Sequence, residues 1–86
     1  MKYIVCNLGL FSLHQKVYYV DENGMILIGE TGLSHLPGLI AQSCDQYNVN
    51  KVRLIGGGET YAMNLSNEIR KVGMMDYNKS LEIEVE

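Results

Sequence analysis

KVYYVDENGMILIG, residues Lys16 to Gly29, decides the architecture. Two apolar runs rich in β-branched and aromatic residues, KVYYV and MILIG, flank Asp21-Glu22-Asn23-Gly24. Asn-Gly in that setting is the strongest short-range hairpin signal, because both residues tolerate the positive φ that the turn uses. These runs are expected as antiparallel strands two and three. Upstream, KYIVCN (Lys2 to Asn7) is apolar on both faces, the pattern of a first, central strand covered on both sides. Downstream, Ser34 is a candidate helix cap, Pro37 fits a first helical turn, and Leu36, Leu39, Ile40, Cys44 and Tyr47 recur at helical steps until Asn48 and Asn50. KVRLI (Lys51 to Ile55) reads as a fourth strand that stops at Gly56-Gly57-Gly58. Thr60 is the candidate cap of a second helix carrying Tyr61, Leu65, Ile69 and Val72 and closing at Gly73. SLEIEVE (Ser80 to Glu86) alternates strictly, with Glu82, Glu84 and Glu86 on a water-facing side and a free sheet edge. The order β-β-β-α-β-α-β predicts one α/β domain over residues 1–86, a five-stranded mixed sheet whose crossovers are right-handed.

Composition narrows the function classes. The 86 residues are 47% hydrophobic and 20% charged, the profile of an ordinary globule. A domain of this size buries only about 60 to 65% of its unfolded surface, so an efficient core or association with a partner is expected. Seven Lys and Arg against ten Asp and Glu give a charge of −3, and the cations are scattered, which speaks against nucleic-acid binding. No apolar run suits a membrane span and no leader pattern precedes the first strand, so a cytoplasmic location is expected. Cys6 and Cys44 form no metal-spaced motif and are expected as reduced core thiols.

The element order resembles the ribonuclease H-like superfold, the unit shared by ribonuclease H, Holliday-junction resolvases and the subdomains of actin-like ATPases, over nearly the whole chain. Two fragments are similar to the actin-like branch: Asn7-Leu8-Gly9 resembles its Asp-x-Gly phosphate loop with Asn for Asp, and Leu54-Ile55-Gly56-Gly57-Gly58-Glu59 resembles its strand-to-helix glycine turn. The resemblance implies a nucleotide or phosphate site at Asn7, Gly9, Gly56, Gly57, Gly58 and Glu59, completed by a partner or a second copy. It equally implies the carboxylates with which nucleases of the superfold clamp two divalent cations. Here the first-strand position is Asn7, a weak ligand for a hard cation, and Glu59 is the one acid expected at that end, with Asp45 remote on the first helix.

Three glycines before a helix can cradle an anion on backbone N–H groups, or can simply make a tight turn; Glu59 would repel an anion, and no Gly-Lys-Ser/Thr follows. The loop Gly9 to His14 carries Leu10, Phe11 and Leu13 where polar turn residues are usual, a candidate contact surface. His14 and His35 read as loop or cap residues, and no serine lies in a nucleophile-elbow frame. No catalytic residue, metal or cofactor is assigned. The expected role is a non-catalytic binding or interaction domain that meets a protein partner or itself as a homo-oligomer; the alternative is a nucleotide- or phosphate-binding protein.

Overall fold

A computed structural model describes residues 1–9 and 12–86. Its strands are β1 (Tyr3–Leu8), β2 (Gln15–Asp21), β3 (Gly24–Thr31), β4 (Lys51–Gly56) and β5 (Glu82–Val85), and its α-helices are α1 (Leu36–Gln46) and α2 (Glu59–Tyr77). The five strands form one sheet in the order β3-β2-β1-β4-β5. β1 runs antiparallel to β2 and parallel to β4, β3 is antiparallel to β2, and β5 is parallel to β4. This is the expected mixed α/β sheet with two helices. Leu10 and Phe11 lie outside the described residues.

Both helices pack on one face of the sheet and against each other. The core joins Ile4, Cys6 and Leu8 of β1, Val17 and Tyr19 of β2, and Val52 and Leu54 of β4 to Leu36, Ile40 and Cys44 of α1 and Ala62, Leu65 and Ile69 of α2. Tyr19 stacks on Tyr47, with ring centroids 4.5 Å apart. Cys6 and Cys44 are free and fully buried, and burial pushes their thiol pKa values up to about 11 and about 12. No described element covers the second face, so the expectation that Lys2 to Asn7 is covered on both sides needs correction. Val5 is nevertheless only 3% exposed on that open face, where Tyr18 and Arg53 flank it in register.

Local chemistry departs from the sequence reading at several ends. In the hairpin turn only Gly24 takes positive φ; Asn23 instead donates its N–H to the Asp21 carboxylate at 2.8 Å. Ser34 sits inside a short 3-10 turn, Leu33–His35, and His35 is the residue at the start of α1, with Pro37 in its first turn. α2 starts one residue before Thr60, after Gly58, and no side chain caps it. Gly73 does not end α2: the helix runs four residues further, to Tyr77, and Asn78 takes the left-handed terminal position. Gly73 is required for packing, since a Cβ there would lie 2.9 Å from Leu81 Cδ1.

Candidate functional site: the carboxyl edge of β1 and β4

β1 and β4 are parallel neighbours, so Asn7 lies beside Ile55 and Leu8 beside Gly56 at one edge of the sheet. In open α/β sheets this edge, where the strand order departs in both directions from one strand, is the usual place for a crevice. Asn7, Gly9 and the triplet Gly56-Gly57-Gly58 therefore come to adjacent strand ends. They line different concavities.

The larger, of about 430 Å³, is bounded by Gly56, Gly58, Glu59, Met63, Val85 and Glu86. All three glycines of the triplet take left-handed φ, between 80° and 84°. Gly57 is also held by space: a Cβ would lie 2.8 Å from Leu8 Cβ. Backbone geometry and packing thus account for the triplet without a ligand. Glu59 is joined at this rim by Glu86, whose carbonyl accepts the Gly56 N–H at 3.1 Å, so the expectation of a single acid at that end is corrected. Among the described residues no group of three or more His, Cys, Asp or Glu comes together. Asp45 is exposed near the far end of α1.

The smaller concavity, of about 190 Å³, is lined by Asn7, Gly9, Ser12, His14, Gln15, Lys16 and Tyr18. Gln15 organises it, a role the sequence reading missed. Its side chain is buried, its Oε1 accepts the Gly9 N–H at 2.8 Å, and its Nε2 donates to the carbonyls of Gly9 and Ser12 at 3.0 and 3.2 Å. A glutamine next to a β-run gives no sequence signal that its amide will be fully engaged. His14 Nδ1 lies 3.6 Å from Glu30, a carboxylate distant in sequence, and His35 begins α1. Leu13 is 87% exposed.

The open face divides into two halves. Toward β5, Lys51 pairs with Glu84 at 3.0 Å, and Arg53 binds Glu86 at 2.6 Å through Nε and reaches the Tyr3 hydroxyl at 3.3 Å, with its guanidinium 5.2 Å above the Tyr3 ring. The hydrogen bond to Glu86, then that to Tyr3, raises the Arg53 pKa further above its ordinary value. Glu82, Glu84 and Glu86 are exposed, as expected, and Glu84 and Glu86 also form the acidic side of this ladder. Toward β3 the surface is apolar: Met25 and Leu27 lie on this face, and Ile26, paired with Tyr19, projects from the opposite face of the same edge strand, each of the three more than half exposed. β3, not the glutamate-bearing β5, is the apolar edge of the sheet.

The chain is thus an α/β domain built on a five-stranded mixed sheet with two helices on one face. A solved structure of similar shape is that of Pelota from Archaeoglobus fulgidus, described for its inter-domain structural plasticity: it superposes with a TM-score of 0.59 at 11% identity, over 99% of this chain and 26% of that one. The chain spans about a quarter of the length of that protein, and the likeness concerns the fold alone. No family model matches the sequence. No curated protein matches it either. No helix among the described residues is long and apolar enough to cross a membrane.

Proposed function

We propose that this chain is a non-catalytic protein-interaction domain on a ribonuclease H-like scaffold. The strand order β3-β2-β1-β4-β5 and the β-β-β-α-β-α-β succession support the scaffold assignment. One observation carries the role: on the edge strand β3, Met25 and Leu27 are 59% and 52% exposed on the open face and Ile26 is 55% exposed on the opposite face, so apolar side chains wrap one edge of the molecule. Contiguous apolar surface rimmed by polar groups is costly to leave in water and marks contact sites. Asn7 in place of a carboxylate, beside a rim where Glu59 and Glu86 stand without a third acid among the described residues, supports a role without metal-dependent chemistry. A photo-crosslinking amino acid placed at Leu27, and as a control at Glu68 on the exposed side of α2, tests this in the cells that make the protein. Adducts with an identified protein are expected from Leu27 alone; equal labelling from both positions, or none, rejects the reading.

The alternative is nucleotide or phosphate binding at Asn7, Gly9 and Gly56 to Glu59. The left-handed triplet ahead of the 19-residue α2 favours it, because free N–H groups and the helix dipole attract anions. Two carboxylates lining the same concavity oppose it. A rise in melting temperature with millimolar ATP and magnesium, absent in Asn7→Ala, is the outcome that would promote this alternative over the first.

A further inference from the structure

Most sheet edges are blunted by shortness, charge, proline or a bulge, because a row of free N–H and C=O groups templates a further strand. β5 is blunted: it has four residues, and Glu82 and Glu84 are among them. β3 has eight residues, and its stretch Gly24 to Gly29 contains no charge and no proline. Its pairing with β2 shifts register only between Val17 and Tyr18, leaving Ile28 as the extra residue and Gly24 to Leu27 regular.

The directions of the backbone groups follow from the turn. The two-residue loop Glu22–Asn23 closes on the pair Asp21 and Gly24, and the pair closing such a loop exchanges its hydrogen bonds. Alternation then turns the N–H and C=O of Met25 and Leu27 away from β2. Tyr18 and Val20, their partners, direct theirs to Val5 and Tyr3 of β1, the register seen on that side. Two donors and two acceptors stand on an apolar edge with no strand beyond it among the described residues.

Resting on the reading above that this is an interaction domain, we infer that β3 takes up an extended segment of another protein as a sixth strand, with an apolar core and Lys or Arg where it passes the Asp21–Glu22 turn. Charge selects this occupant. Asp21 and Glu22 form no ion pair among the described residues, whereas Glu30 at the other end has His14 at 3.6 Å and Lys16 opposite it in register. A second copy paired about a two-fold at Ile26 places Met25 against Leu27 of its mate, but carries Glu22 of each copy toward Glu30 of the other. Like charges facing across strands are destabilising. A basic-flanked segment gains where a second copy loses.

The probes are two fluorescein-labelled peptides with the same alternating Val-Thr core, one flanked by lysine pairs and one by glutamate pairs, titrated against the whole chain by fluorescence polarisation. Leu27→Pro removes an outward N–H that β2 does not use, and Leu27→Lys keeps the backbone and adds a repelling charge, so one variant serves if the other fails to fold. The expected result is binding of the lysine-flanked peptide, weakened about tenfold or more by each folded variant and by added salt, with the glutamate-flanked peptide weaker still. Equal binding of both peptides, or binding indifferent to Leu27, overturns the edge proposal while crosslinking from Leu27 still tests the interaction reading separately. Sedimentation showing a dimer that Leu27→Lys dissolves assigns the edge to a second copy and overturns it too. No binding of either peptide at millimolar concentration does the same.

Discussion

Gly57 and Gly58 differ by one position and by the space around them, and that difference decides what a methyl group would do at each. Both have left-handed φ, so alanine at either meets backbone strain of about 1–2 kcal/mol. At Gly58 the added carbon enters open space, whereas at Gly57 it overlaps Leu8, adding an overpacking cost of roughly 1–3 kcal/mol. Urea titrations should therefore rank Gly57→Ala well below Gly58→Ala; equal losses would mean that Leu8 moves aside freely. Tyr61 presents the opposite case. Its hydroxyl is buried without a hydrogen-bond partner among the described residues, and burial, then the nearby Cys6, raises its pKa. A buried unpaired hydroxyl costs about 1–3 kcal/mol, so Tyr61→Phe should raise the unfolding midpoint. A fall would show that the hydroxyl is satisfied in solution.

At the level of elements, β5 is attached by two unlike devices, and magnitudes say which matters. The ladder of Lys51, Arg53, Glu84 and Glu86 is partly exposed, with Glu84 and Glu86 each more than 40% open, and pairs of that kind contribute up to about 1 kcal/mol. The seat of Leu81 on Gly73 is a close contact in the core, where one extra methyl costs roughly 1–3 kcal/mol. Gly73→Ala should destabilise the domain more than Glu84→Gln, and only the Glu84→Gln effect should shrink in high salt; the reverse order would place the ladder first. This contrast also explains what could be read from the chain. The hairpin at Asn23-Gly24, the stripe of Leu36, Ile40 and Cys44, and the alternation of Leu81, Ile83 and Val85 are local patterns, and each yielded its element. Gly73 read as a helix end because its reason, Leu81, lies beyond the helix on another element. The arrival of Glu86 beside Gly56 and the ladder itself depend on the parallel register of β4 and β5, which local periodicity does not encode. MILIG read as a strand, but apolar composition alone does not distinguish an interior strand from an exposed edge, so the surface at Met25 to Leu27 came only with the strand order.

The molecule as a whole concentrates its alkaline sensitivity in one layer. Cys6 of β1 and Cys44 of α1 lie in the same core cluster, fully buried, one on the sheet and one on the helix that covers it. Both are acids whose folded pKa is raised by desolvation, from 9.0 to about 11 and about 12. Below pH 9 the thiols are protonated folded or unfolded, and their contribution is fully present. Above it the unfolded chain loses protons that the folded chain keeps, so stability falls by about 1.4 kcal/mol per pH unit per thiol until the folded groups titrate in turn. The burial that raises the Tyr61 pKa acts in the same direction. Urea midpoints should stay level from neutral pH to about pH 8.5 and then drop, with Cys44→Ala starting from a lower stability but losing about half of the slope. Thiol labelling at neutral pH should proceed only at the rate of opening, since each sulfur is shielded by both layers. A midpoint that holds level to pH 11, with rapid labelling of both thiols, would mean that α1 does not close on β1 in solution, and the two-layer arrangement that sets β3 at an open edge would go with it.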